Sequence, residues 1–178
     1  MTLAPLLEKL PAVEIWIDSL LASHAAEAKS VASLPFARLA NYYDVATLAV
    51  ARVIVVDAVP TPPLTAMGLP QFAAFEHMDA NGITYRDTFF VDRKLADDES
   101  LHFHELVHVV QWRELGPRSF LMAYAAGLAT AAGYASNPLE HIAYGLQEQF
   151  ELGAVFRAEP LIRKHLQTEV PALLAAFQ

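Results

Sequence analysis

Two histidines lie four positions apart in residues 101–112, where His104, Glu105 and His108 form the pattern HExxH. On an α-helix, side chains at this spacing leave the same face, so both imidazoles can bind one ion. Glu105 directly follows the first histidine, where its carboxylate can act as general base for a water at the open position of a metal. The spacing therefore predicts a helix here that supplies half of a metal site.

The residues around the motif independently predict a helix. Residues 97–100, Asp-Asp-Glu-Ser, offer N-terminal caps and negative charge, and Gly116-Pro117 offers a stop. One stripe of the helix combines both histidines and Gln111 with apolar residues, and a second stripe is wholly apolar, so the helix is predicted to be mostly buried. A metal-free alternative would need a separate hydrogen-bond partner for each buried histidine and for Gln111. Metal binding is the favoured interpretation.

Composition limits the function classes. The chain has 178 residues, of which 54% are hydrophobic and 18% charged, with a formal net charge of −8 and no cysteine. Its length predicts a single domain over residues 1–178, with a helical N-terminal cover (1–50), a sheet with the metal-site helices (51–158) and a C-terminal helical tail (159–178). The acidic balance excludes nucleic acid as an expected partner, and any metal site must use His and carboxylate ligands.

Two stretches of the sequence bear on where in the cell the protein is located. Residues 1–10 have no positively charged region before their apolar residues, so no signal peptide is expected. A cytoplasmic protein is therefore expected. Residues 119–139 lack charge and are nominally long enough to span a membrane, but they are rich in alanine and contain Gly127, Gly133, Asn137 and Pro138. A buried helix is the preferred interpretation, and no membrane partner is expected.

Hydrophobic periodicity predicts an α+β fold that is mostly helical. Helices are expected over residues 3–28, broken near Pro11, and over 35–50, with a buried strand at 53–56. Two further strands, 71–78 and 82–92, are expected to join at a turn over 79–82. The result is a short, about three-stranded, mainly antiparallel sheet over the HExxH helix. An edge strand beside that helix could bind an extended peptide by strand addition.

The C-terminal part is predicted to be helical. Pro117 opens a helix that Gly133 closes, and a tail helix over 161–177 is expected to be interrupted at Pro171. Between them, a helix starts with Asn137 as N-cap, proline at the first position and Glu140 at the third.

A catalytic zinc needs three protein ligands, so another element must supply the third. The extended pattern HExxHxxGxxH is absent, because Gln111 and Glu114 occupy its last two defined positions. Glu140, in the first turn of a later helix, is the best candidate, although a capping-box glutamate needs no metal to explain it. His141 is the substitute, but it projects about 100° around the helix from Glu140.

The stretches HELVHVVQ (104–111) and NPLEHIAY (137–144) resemble those of gluzincin metallopeptidases, in particular small bacterial zincin-like domains with HExxHxxQ. The resemblance covers about residues 82–150. It implies a short sheet with an edge strand above the active-site helix, His104, His108 and Glu140 as zinc ligands, and Glu105 as base. Larger gluzincins often have an acidic residue four positions after the ligand glutamate, where this chain has Tyr144.

The predicted function is a zinc-dependent hydrolase, with Zn²⁺ as cofactor and a peptide or protein as substrate. Tyr134 and Tyr144 are candidates to stabilise the oxyanion, although tyrosines on apolar helices are more often core residues. Gln111, three positions after His108, is a candidate acceptor for the second N–H of that imidazole. The alternative is a non-catalytic zincin-like metal-binding domain that acts as a protein-interaction module. A deformylase-like hydrolase is a third option, but that class normally recruits a cysteine.

Overall fold

The computed structural model describes residues 4–130 and 134–175, which form six α-helices and a four-stranded mixed sheet. The helices are α1 (Ala4–Ser23), α2 (Val45–Val50), α3 (Ala73–Glu76), α4 (Glu99–Thr130), α5 (Pro138–Glu151) and α6 (Ala158–Ala175). The strands are β1 (Lys29–Ser30), β2 (Arg52–Val56), β3 (Gly82–Tyr85) and β4 (Thr88–Asp92). The predicted α+β class is confirmed.

The sheet differs from the predicted one in strand number and pairing. Its order is β1-β2-β4-β3, and the central pair β2 and β4 is parallel, whereas both outer pairs are antiparallel. The fourth strand, β1, has two residues, which is too short to give a periodic pattern in the sequence. It lies between the two helices that were expected in the N-terminal segment, over 3–28 and 35–50. β3 lies at one edge of the sheet, as expected.

The predicted strand over 71–78 is wrong. Residues 70–72 form a 3₁₀ turn and Ala73–Glu76 a short helix, consistent with the low strand propensity of alanine. The hairpin instead joins β3 to β4 through Arg86 and Asp87. Arg86 has φ 61°, a conformation rare for arginine, and its guanidinium pairs with Asp18 of α1 at 2.8 Å. The expected continuous strand over 82–92 is therefore two strands.

α4 is the central element, and every residue from 102 to 112 is buried. The predicted cap is present, because the Asp98 carboxylate accepts the backbone N–H of Ser100 at 2.9 Å. The predicted stop is a kink: Gly116 has φ 73° and ψ 163°, a conformation that glycine adopts without steric penalty, and the helix resumes at Pro117. The kink lets the second half of α4 turn toward α5.

Three other helix predictions need correction. α1 runs through Pro11 and α6 runs through Pro171 without a break. Apolar side chains pack against the core on both sides of each proline, although those after Pro171 are only partly buried, so packing offsets the lost backbone hydrogen bond. The helix expected over 35–50 is a 3₁₀ turn, Ala37–Asn41, followed by α2. The predicted end at Gly133 and the tail beyond residue 175 lie outside the described residues.

Within residues 4–130 and 134–175, no helix has both the length and the apolar character needed to cross a membrane.

A buried carboxylate connects α6 to α2 and α4. Glu159 is 2% exposed and accepts hydrogen bonds from the Thr47 hydroxyl (2.6 Å), Arg113 (2.8 Å) and Arg163 (2.7 Å). Burial opposes its ionisation, but the Thr47 hydroxyl, the Asp44 N–H and Arg113 outweigh burial and lower the pKa of Glu159 below its ordinary value of 4.5. Ionised Glu159 therefore stabilises the fold.

We expect Glu159→Gln to lower the free energy of unfolding at pH 7 by about 1–2 kcal/mol, because it leaves the buried Thr47 hydroxyl and two partly exposed arginines without their anion. Since the pKa of Glu159 is lowered in the folded state, the difference in the free energy of unfolding between variant and wild type should have its full value above pH 4.5. It should shrink as the pH falls below that value. Urea denaturation at pH 7 and at low pH measures both effects. Glu148→Gln, on the exposed side of α5, is the control and should change stability by less than about 0.5 kcal/mol. Equal losses in both variants would contradict this prediction.

Candidate metal centre

His104 and His108 of α4 meet Glu140 of α5 in the interior. Asn137 caps α5 by accepting the Leu139 N–H at 3.1 Å, which puts Glu140 in the first turn. The two histidine Nε2 atoms are 3.1 Å apart, and Glu140 Oε2 and Oε1 lie 3.3 and 3.4 Å from them. All three side chains are buried, and one ligand atom from each lies within 4.8 Å of the others. This group could hold a metal ion.

A glutamine fixes the orientation of the His108 ring. The Gln111 amide donates through Nε2 to the Leu139 carbonyl at 2.9 Å, and its Oε1 lies 2.8 Å from His108 Nδ1. A carbonyl can only accept, so the amide must present its oxygen to the imidazole, and Nδ1 carries the hydrogen. The contact expected from the sequence is present. It leaves Nε2 of His108 directed at Glu140.

His104 has a corresponding partner on α5. Gln147 Oε1 lies 3.0 Å from His104 Nδ1, while the amide nitrogen donates to the Glu151 carboxylate at 3.1 Å. The same reasoning puts the hydrogen on Nδ1 and directs Nε2 at the cluster. Both histidines are thus held in the tautomer that metal ligation through Nε2 requires.

The two oxygens of Glu140 have different surroundings. Oε1 accepts the hydroxyls of Tyr124 (2.5 Å) and Tyr134 (2.7 Å), whereas Oε2 is buried without a hydrogen-bond partner among the described residues. Burial, and next the Glu140 carboxylate, raise the pKa of both tyrosines. An unpartnered buried carboxylate oxygen is costly unless a cation is close. Oε2 is therefore the oxygen best suited to ligate a metal.

The electrostatics of the group favour a cation. Burial opposes ionisation of Glu140, yet His108 and His104 hold the pKa of its carboxyl well below the usual range. Burial also lowers the pKa of His108, but the Glu140 carboxylate outweighs burial and raises that pKa to about 9. The three side chains thus attract positive charge to one point, and a metal ion would have to displace a proton from it.

Glu105 is buried beside this group and is held by β3. The Thr84 hydroxyl lies 2.6 Å from Glu105 Oε2, and the Trp112 indole donates to the Thr84 carbonyl at 3.0 Å. A Cβ at Gly82 would lie 2.4 Å from Glu105 Oε1, so glycine is required for the strand to approach this closely. Burial raises the pKa of Glu105. The Thr84 carbonyl is already bonded, so strand addition along this edge would find that position occupied.

A polar cleft of about 370 Å³ opens beside the site and is lined by His104, Glu105, Tyr134, Tyr144 and residues 78–82, among others. Tyr144 is 44% exposed, with its ring centroid 4.6 Å from that of His104. Both tyrosines proposed from the sequence thus line the cleft, but the Tyr134 hydroxyl donates to Glu140, whereas the Tyr144 ring packs against His104. His141, the substitute ligand, is exposed and is not part of the cluster.

Three partners were not predicted from the sequence. Gln147 follows Glu140 by seven positions, which is two helical turns on the same face, so this spacing could have identified it. Thr84 belongs to the strand expected beside the helix, but its pairing with Glu105 depends on how α4 packs on β3. For Tyr124, no local signal exists, because its contact with Glu140 depends on the kink at Gly116.

Comparison of the chain with known protein families, with curated proteins and with solved structures found no significant match.

We expect Gln111→Leu to weaken metal affinity by about 10- to 100-fold, because the His108 imidazole loses the acceptor that orients it. The fold should persist with a loss of about 1–3 kcal/mol, since the buried Leu139 carbonyl also loses its donor. Competition against a chelator of known affinity measures the metal dissociation constant. Gln149→Leu, on the exposed face of α5, is the control. An unchanged dissociation constant would show that Gln111 does not support the metal ligand.

Proposed function

We propose that this chain is a zinc-dependent hydrolase of peptidase type, with His104, His108 and Glu140 as zinc ligands and Glu105 as general base. The observation that supports it best is the convergence of three buried ligand atoms within 4.8 Å, beside a second buried carboxylate, Glu105, that borders an open cleft. This arrangement agrees with the gluzincin resemblance of residues 104–111 and 137–144.

The separations within the group suit zinc. Ligand atoms about 2.0–2.1 Å from a tetrahedral zinc ion are about 3.3 Å from one another. The two histidine Nε2 atoms are 3.1 Å apart and His104 Nε2 is 3.3 Å from Glu140 Oε2, and both separations are close to that value. Two imidazoles and a carboxylate are also the ligand set of a common class of catalytic zinc site, which keeps one position open for water. The donor set and its spacing therefore fit zinc.

Each residue of the site has a proposed task in amide hydrolysis. A bound zinc ion supplies Lewis acidity, which acidifies water and polarises a carbonyl. Glu105 takes a proton from the attacking water, the water oxygen bonds to the carbonyl carbon, and Glu105 returns the proton to the nitrogen as the C–N bond breaks. Thr84 holds Glu105 in position, and Tyr144 is the candidate donor to the oxyanion because it borders the cleft.

One observation favours the non-catalytic alternative, a zincin-like metal-binding module. The hydroxyls of Tyr124 and Tyr134 both donate to Glu140, which leaves neither hydroxyl hydrogen for an oxyanion. In this alternative the ion would hold α4 against α5, and the cleft would bind a partner without hydrolysis.

Metal analysis of protein purified without chelator tests whether the chain binds zinc. The proposal predicts about one equivalent of zinc per chain, removed by a chelator and restored by added zinc. Peptide hydrolysis should disappear and return with the metal. Less than about a tenth of an equivalent, unrestored by added zinc, would exclude a zinc enzyme.

A further inference from the structure

Two cavities of opposite polarity meet at Glu105. One is the polar cleft of about 370 Å³, whose lining includes the acidic side chains Asp79 and Asp98. The other is a cavity of about 90 Å³ between α1 and the second half of α4. Gly82, Glu105 and Tyr134 line both. A molecule bound in the cleft at Glu105 is therefore next to the second cavity.

The second cavity, which we call the apolar pocket, has mainly hydrocarbon walls. α1 contributes Leu6, Leu10, Val13 and Ile17, and α4 contributes Ala125 and Leu128, among others. At one end, the wall is formed by Glu105, His108 and Glu140 of the metal centre. A cavity with such walls stays dry and binds apolar groups. The apolar walls favour a hydrocarbon group, and the position beside the metal centre favours a group close to the reacting bond.

The size of the apolar pocket limits what can enter. An apolar cavity of about 150 Å³ binds benzene, which has six carbon atoms. In proportion, 90 Å³ suits about four carbon atoms. Branched aliphatic side chains such as those of valine and leucine have this size, whereas a phenylalanine side chain exceeds it.

We propose that the apolar pocket receives a branched aliphatic side chain of three or four carbons from the substrate residue next to the cleaved bond. The inference rests on the proposed peptidase function and adds its substrate class. Because Gly82 has no side chain, β3 lies directly against the Glu105 carboxylate, and both residues line the two cavities.

The first experiment needs no catalysis. Isobutanol and benzyl alcohol are titrated into zinc-loaded, methyl-labelled full-length protein, and methyl resonances are followed by NMR. Isobutanol should shift the methyl signals of Leu10, Val13 and Leu128 saturably, and benzyl alcohol should bind at least about tenfold more weakly. Leu166, which lines neither cavity, is the internal control. Ala125→Leu fills the pocket and should abolish the shifts.

The second experiment measures kcat/KM for peptides that differ in the residue beside the cleaved bond. The kcat/KM of the leucine peptide should exceed that of the alanine peptide by about 10²-fold, and it should also exceed that of the phenylalanine peptide. Leu10→Ala enlarges the pocket and should change the leucine-to-phenylalanine ratio at least about tenfold toward phenylalanine. Leu166→Ala truncates a similarly buried leucine on α6 and should leave the ratio unchanged.

The two experiments separate the two hypotheses. Isobutanol binding without hydrolysis would support the pocket and contradict the peptidase function. Hydrolysis without side-chain preference, together with no isobutanol shifts, would contradict the pocket and support the function. Equal changes in Leu10→Ala and Leu166→Ala would also overturn the inference, since the effect would then be loss of core packing rather than pocket size.

Discussion

Glu105→Gln should lower kcat by about 10²- to 10⁴-fold while the protein keeps its zinc and its melting temperature. An amide cannot accept the proton of the attacking water at neutral pH, so the base is lost. The fold should tolerate the change, because burial already raises the pKa of Glu105 and glutamine is neutral at the same volume. The Thr84 hydroxyl can still donate to the amide oxygen. Peptide hydrolysis, metal analysis and a thermal melt of one preparation measure all three properties.

The matched control for this variant is Glu148→Gln, which makes the same chemical change on the exposed face of α5. It should leave kcat unaltered. If Glu105→Gln retained wild-type kcat, the carboxylate would have no part in the reaction. Loss of zinc from Glu105→Gln would instead mean that Glu105 supports the metal site.

Glu140→Gln should weaken zinc binding by more than about 100-fold, because the variant lacks the anionic ligand. Tyr134→Phe removes one hydrogen-bond donor to the same carboxylate and should cost about 10- to 100-fold. This ordering distinguishes a ligand from a group that supports the ligand. Chelator competition gives both constants.

A thermal melt with and without chelator gives a second measurement of Glu140→Gln. Wild-type protein with zinc at about 1,000 times its dissociation constant gains about 4 kcal/mol from binding, which a chelator removes. The same zinc concentration is at most about ten times the dissociation constant of Glu140→Gln, so the gain that the chelator removes from this variant should be at most about 1.4 kcal/mol. If its zinc affinity equals that of wild type, Glu140 is a core carboxylate held by Tyr124 and Tyr134 and not a ligand.

The features that could be predicted from the sequence are local ones. The position of His104 and His108 on one helical face follows from their spacing, and the start of α4 follows from its acidic cap. The N-cap at Asn137 and the contact between His108 and Gln111 are likewise set within one or two turns. Such features depend on backbone geometry that neighbouring residues fix by themselves.

The features that were missed depend on packing between distant segments. The strand expected over 71–78 is helical, and the parallel pairing of β2 with β4 joins segments about 35 residues apart, which no local pattern encodes. Arg86 adopts a left-handed conformation that its residue type disfavours, in a hairpin anchored to Asp18. Tyr124 donates to Glu140 from the part of α4 that follows the kink at Gly116.

The three proposed ligands are unevenly distributed along the chain: His104 and His108 share one helical turn, whereas Glu140 follows 32 positions after His108. An ion bound by all three would act as a cross-link that closes this long loop, and it would reduce the entropy of the unfolded chain in the way a disulfide does. The chain has no cysteine with which to make such a link covalently. The register of α5 on α4 would then depend on metal supply, so zinc starvation would loosen the helical hairpin and the catalytic geometry together.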